Sequence, residues 1–107
     1  MNALTSLHCK PLEGPAAMDT AAIATHLQQV DGWSLANGAL EKTFAFADYH
    51  HTLAFVNAVA WIAHREDHHP DIAFGYNRCT VRWQTHSVGG ISINDFICAA
   101  KVDALVD

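Results

Sequence analysis

Asn37-Gly38 is the most restrictive dipeptide in this chain, because it separates two strand-like runs, Trp33 to Ala36 and Ala39 to Phe46. A two-residue connection between twisted strands needs positive φ at both turn positions, which Asn and Gly accept most readily. The two runs are therefore expected to form an antiparallel hairpin. A second pair of strands is expected after Pro70, with Asn77-Arg78 turning the chain. In the first of this pair Ile72, Phe74 and Tyr76 share a face. In the second, Val81, Trp83 and Thr85 oppose Thr80, Arg82, Gln84 and His86.

Helical patterns flank the hairpins. Asp19 or Thr20 is placed to cap a helix running to about Val30, with Ile23 and Leu27 as apolar contacts. Asp48 is placed to cap a long helix from Tyr49 to about Glu66. One of its stripes is Leu53, Val56 and Ala60, and a second is Phe55, Val59 and Ile62, so cover on more than one side is expected. Ser92 and Asp95 have the spacing of a capping box at the start of a last helix, Ile93 to about Val106. The order α-β-β-α-β-β-α implies an α+β fold, a four-stranded antiparallel sheet with helices packed on one face. Trp61 and Trp83 are expected in the core.

At 107 residues and 50% hydrophobic, residues 1–107 are expected to make a single domain, with 1–15 an irregular N-terminal arm. A net charge of −5 offers no footprint for nucleic acid or an anionic membrane. No apolar run approaches the roughly 20 residues that span a bilayer. Cys9, Cys79 and Cys98 are odd in number and lack a CxxC pair, against both a disulfide framework and a cysteine-rich zinc site. With no signal-peptide pattern at the N-terminus, a reduced, cytoplasmic protein is expected. An exposed sheet edge makes self-association into a homo-oligomer an expectation too.

The chain holds eight histidines, more than its six lysines and arginines together. His8, His26, His50 and His51 have ordinary readings as solvated residues. His64, His68 and His69 crowd the stretch HREDHHPD with Glu66, Asp67 and Asp71, and His86 ends the second hairpin. His64 and His68 share a helix face if the helix reaches that far. A returning strand would carry His86 toward the His68–His69 corner, bringing three imidazoles to one site near a helix end. Imidazole exchanges protons near neutral pH and also ligates metals, so both acid–base catalysis and metal binding are open on composition. A helix C-terminus favours cations by roughly 0.3–1 kcal/mol, which is sufficient reason for any one of these residues alone. G-x-S-x-G, phosphate-binding glycine loops and HExxH are absent.

The spacing His64-x₃-His68-His69-Pro70, then Tyr76, His86 and Asp95, resembles the signature of pterin-4a-carbinolamine dehydratases. The run THSVGGISINDFICAAKVDAL is similar to bacterial members of that family. The resemblance spans about Trp33 to Leu105 and agrees with the family fold. It implies dehydration of 4a-hydroxytetrahydropterin to quinonoid dihydropterin, a hydro-lyase reaction that recycles the cofactor of aromatic amino-acid hydroxylases. It implies no metal and no organic cofactor. By position, His68 and His86 are the implied general acid/base pair, His69 a substrate-binding residue and Asp95 a supporting carboxylate. His64 stands where many relatives carry Glu, so Asp67 becomes the nearest candidate acid. Ile72 stands where relatives often carry an aromatic residue. Two other readings compete: a metal site built from His64, His68, His69 and His86, and a non-catalytic dimerisation or coactivator module.

Overall fold

The computed structural model describes residues 2–12 and 17–106. Three α-helices and four strands follow the expected order: α1 Thr20–Leu27, β1 Ser34–Ala36, β2 Ala39–Ala45, α2 Tyr49–Glu66, β3 Asp71–Phe74, β4 Arg78–Trp83 and α3 Ile93–Ala104. The strands form one antiparallel sheet ordered β1-β2-β4-β3. Asn37 (φ 50°) and Gly38 (φ 80°) both take the left-handed conformation, and Ala36 pairs with Ala39 to close the hairpin. The turn chemistry read from the dipeptide is the chemistry that operates.

One sheet face is apolar. Leu40 and Phe44 of β2 and Cys79, Val81 and Trp83 of β4 are buried on it, beneath α2 and α3. The other face carries a Thr43–Thr80 hydroxyl pair at 2.8 Å and an Arg82–Glu41 ion pair at 2.7 Å. Helix α3 is the axis of the core: Asn94 to Ala100 are buried without a break. A helix can be buried all round only where something covers every side. Here the sheet, α2, α1 (through a His26–Phe96 ring contact at 5.2 Å) and the N-terminal arm supply that cover.

Several boundaries differ from expectation, for local reasons. Helix α1 stops at Leu27, since Gln28, Gln29 and Val30 turn through i→i+3 bonds before Gly32. β3 stops at Phe74, and Gly75, Tyr76 and Asn77 make the connection, closed by Gly75 N–H donating to Arg78 O at 3.0 Å. Tyr76 is therefore 65% exposed rather than on the face of Ile72. The arm is not wholly irregular, because Ala3–Ser6 forms a 3₁₀ turn with Leu4 buried. Residue 1 and residues 13–15 of that arm lie outside the described residues.

Helix α2 buries one stripe, Thr52, Phe55, Val59, Ala63 and Glu66. Its other expected stripe is largely uncovered, with Leu53 37% exposed and Ala60 exposed. Trp61 lies off the buried stripe and is 60% exposed, stacked on His64 at 5.3 Å. It is a surface residue, unlike Trp83, which has no exposure.

At the far end of α3 the Asp103 carboxylate accepts from the Trp33 indole and from Lys42, both at 2.9 Å. Asp103→Ala leaves a buried indole N–H without its acceptor and is expected to lower the unfolding free energy by about 1–3 kcal/mol. Urea melts of the two proteins measure this directly, and equal midpoints would show that the network contributes nothing.

Candidate active site

The site begins with the way α2 ends. Asp67 takes a left-handed conformation (φ 50°, ψ 44°), its N–H bonds His64 O, and the His68 N–H reaches back to Ala63 O at 3.2 Å. This pair of bonds is a Schellman motif, with Asp in the position that Gly usually holds. The reversal separates residues that a continuing helix would have kept on one face. His64 remains on the exposed side with Trp61, while His68 is folded inward with 12% of its side chain exposed. Proline at position 70 then directs the chain into β3.

His68 lies nearly parallel to the buried Trp83 ring, at 5.4 Å and 13°. The Trp83 indole N–H has no hydrogen-bond partner among the described residues, so Trp83 acts here by packing. The Nε2 of His68 stands 2.6 Å from Asp95 Oδ1. Asp95 is fully buried, and its Oδ2 accepts from Thr85 Oγ1 at 2.8 Å and from the Ser92 backbone N–H at 2.9 Å. Ser92 Oγ in turn lies 2.7 Å from Thr85 Oγ1 and accepts from Asn94 N–H. The Ser92–Asp95 capping box is therefore present at α3, and its carboxylate has a second use. A carboxylate oxygen accepts, so the imidazole donates from Nε2 to Asp95; in a neutral ring Nδ1 would then be the acceptor, and among the described residues it has no partner.

The remaining expected site residues are more scattered. His69 is exposed, immediately after His68. His86 is exposed too, at the start of the 3₁₀ turn His86–Val88. Among the described residues no hydrogen bond or ring contact joins either to His68. The link between β4 and the site is made by Thr85, one residue before His86. The Asp67 side chain is exposed, and what the structure shows of this residue is its backbone turn. Among the described residues no three His, Cys, Asp or Glu side chains are disposed around a common metal position.

A pocket of about 190 Å³ lies beside His68, between the end of α2, Thr85, Ser87 and arm residues 9–12. The arm is held there by specific bonds. Glu66, with 4% side-chain exposure, accepts from Cys9 N–H at 2.7 Å and faces His8 Nδ1 at 3.0 Å, with Lys101 at 3.6 Å. Asn94 both accepts from Lys10 N–H and donates to Lys10 O, and Ser87 Oγ donates to Leu12 O at 2.6 Å. Glu66 stood in the sequence cluster without a role and Thr85 was not marked at all, since no local spacing pairs a helix-end acid with an arm 57 residues away.

The chain as a whole is similar to known proteins. A sequence model described as pterin 4 alpha carbinolamine dehydratase covers residues 16–105. The chain belongs to the pterin-4a-carbinolamine dehydratase family. A relative from Xanthomonas oryzae pv. oryzae is 58% identical over 107 residues, 97% of this chain and 91% of its own length. One from Nitrosospira multiformis is 52% identical over 103 residues, 95% and 91% of the two chains. Both are described as "Putative pterin-4-alpha-carbinolamine dehydratase". Among solved structures, a transcriptional coactivator/pterin dehydratase from Brucella melitensis superposes with TM-score 0.81 at 29% identity, over 85% of this chain and 99% of its own. A pterin dehydratase-like protein described as a RuBisCO assembly factor in the α-carboxysome superposes with TM-score 0.57 at 31% identity, over 68% and 84%.

Burial alone would raise the Glu66 carboxyl of this family member. The Cys9 amide, the His8 side chain and the Lys101 ammonium outweigh that and hold it below the usual glutamate range. A depressed folded-state value means that Glu66 adds stability above its unfolded value, about 4.3, and loses it as pH falls through the folded one. Glu66→Gln is therefore expected to be less stable than the parent at pH 7, with the gap closing below about pH 4. Denaturant melts across pH measure this, and a gap independent of pH would contradict the assigned role.

Proposed function

We propose that this chain is a hydro-lyase that removes water from a 4a-hydroxytetrahydropterin, giving quinonoid dihydropterin by histidine acid–base catalysis. In the reaction the C4a–O bond breaks, a ring N–H loses its proton, and that electron pair forms the new C=N bond. The departing hydroxyl leaves as water after taking a proton from the acid. Neither step calls on a metal or an organic cofactor. One group must give a proton to oxygen while another takes one from nitrogen.

The contact that carries this reading is the His68–Asp95 hydrogen bond, in a chain that belongs to this family. Asp95 and Trp83 hold the ring in place beside the pocket, and in this reading its Nδ1 is the atom that exchanges a proton with the pterin. His68 and His86 form the acid/base pair of the proposal, His69 binds and orients the pterin, and Asp95 is a positioning residue. Asp67, an exposed residue that lines the pocket, is the supporting acid of the proposal. As the family resemblance implies, the carbinolamine substrate is what an aromatic amino-acid hydroxylase leaves of its cofactor, so its dehydration serves recycling of that cofactor. A reducing cytoplasm suits its three free thiols.

Rapid-mixing decay of the carbinolamine separates these roles. His68→Ala and His86→Ala are each expected to lower the catalysed rate by roughly 10²–10⁴-fold. His69→Ala is expected to act chiefly through KM. Wild-type rates in both His68→Ala and His86→Ala would overturn the mechanism.

We also propose that the chain works as a homo-oligomer. Leu53, Ala60 and Trp61 on α2 leave apolar surface uncovered, and no helix of the described chain is long and apolar enough to place that surface in a membrane. The short outer strands β1 and β3 leave backbone edges available to a second copy. Sedimentation equilibrium is expected to give a mass at least twice the 11.7 kDa of one chain, and 11.7 kDa at every concentration would refute it.

A further inference from the structure

All three cysteines are free, and two of them meet. Cys9 Sγ of the arm lies 3.5 Å from Cys98 Sγ of α3, whereas Cys79 is buried separately on β4. The arm backbone beside this contact is pinned by specific bonds. Cys9 N–H is bonded to Glu66, and the next residue, Lys10, is held at both N–H and C=O by the Asn94 side chain. Asn94 and Cys98 are one turn apart on the same face of α3, so the residue that holds the arm also aligns it over the second thiol.

Access is as well defined as proximity. Cys9 is partly exposed and lines the pocket beside His68, while Cys98 is buried behind it. Hydrogen-bond directions agree with that order. Cys9 Sγ reaches Asn94 O at 3.6 Å as a donor, leaving Cys98 to donate to Cys9. That bond to Cys9, followed by burial, pushes the Cys98 thiol up. Cys9 is thus the sulfur that meets an incoming reagent and Cys98 the one that resolves the product.

We propose that Cys9 and Cys98 are a redox pair, which a small-molecule disulfide such as oxidised glutathione converts into an intramolecular disulfide stapling the N-terminal arm to α3. The step is two exchanges. Cys9 thiolate attacks one sulfur of the reagent, forming a mixed disulfide and expelling one glutathione thiolate. Cys98 Sγ then attacks Cys9 Sγ and hands its proton to the departing second glutathione, which leaves as a thiol, while the first glutathione thiolate takes up the proton that Cys9 gave to water. Two protein thiols are oxidised, and one glutathione disulfide is reduced to two thiols. Disulfide sulfurs lie about 2.05 Å apart, so the contact of 3.5 Å must close by about 1.5 Å when the bond forms. The product closes a loop through nearly the whole chain and fixes the pocket wall that the arm provides. The inference is independent of the dehydratase reading.

The test is incubation of the full chain with oxidised glutathione, followed by peptide mapping without reductant and thermal melting. The expected product has lost the mass of two hydrogen atoms, links the Cys9 and Cys98 peptides, and leaves Cys79 free. Its Tm is expected to rise by more than about 4 °C and to return with dithiothreitol. Cys9→Ser, a change at a partly exposed position, is expected to abolish both the linkage and the shift. Cys98→Ala is expected to stop at a glutathione adduct on Cys9. Three results would each overturn the proposal: a stable adduct on Cys9 in the parent protein, no loss of thiols, or an undiminished Tm shift in Cys9→Ser.

Discussion

A carboxylate with no exposure to water makes severe demands, and Asp95 is such a group. Transfer of an unpaired ion into a protein interior is prohibitive, so its lone pairs must be met by donors with good geometry. Three separate parts of the chain meet them. His68 comes from beyond α2, Thr85 from beyond β4, and Ser92 is the N-cap of α3 itself. The start of α3 is buried, where its free amides cannot turn to water, so the cap is obligatory. The interaction that starts the central helix is therefore the one that orients the imidazole.

The same design recurs along α3. Asn94 holds the arm through two bonds to Lys10. Asp103, near the other end, gathers the Trp33 indole and the Lys42 ammonium, and Lys42 also donates to Asp31 O. Polar side chains on a mostly apolar helix thus fix what packs against it, which apolar contact alone does not do. Glu66 plays the corresponding part at the end of α2, where it clamps the arm over the pocket. Structural pinning and the candidate chemistry share residues throughout this corner.

Features that depend on near neighbours were legible in the sequence. Asn37-Gly38 announced its hairpin because the constraint is on two adjacent φ angles. Helix α2 matched its expected limits, with Asp48 capping one end and Asp67 reversing the chain three residues before Pro70. Features that depend on distant partners were not. Trp61 read as core on its apolar character, yet only packing decides which of two stripes on α2 is covered. One local feature escaped as well: His64 and His68 shared a helical spacing that the left-handed Asp67 breaks, because Asp does not announce that conformation as Gly does. Thr85 carries no catalytic signature and entered the site only because β4 ends beside α3.

By itself the sequence determined the element order, the antiparallel pairing through its turns, the capping box at α3 and the family, since these rest on local torsions, periodicity and spacing. Tertiary structure alone decided that Asp95 turns its second oxygen to His68, that Glu66 and Asn94 hold the arm, and that Cys9 meets Cys98. The division has one physical cause. A backbone torsion or a helix cap is settled within a few residues, whereas the partner of a buried polar group is whichever donor the packed core brings within about 3 Å.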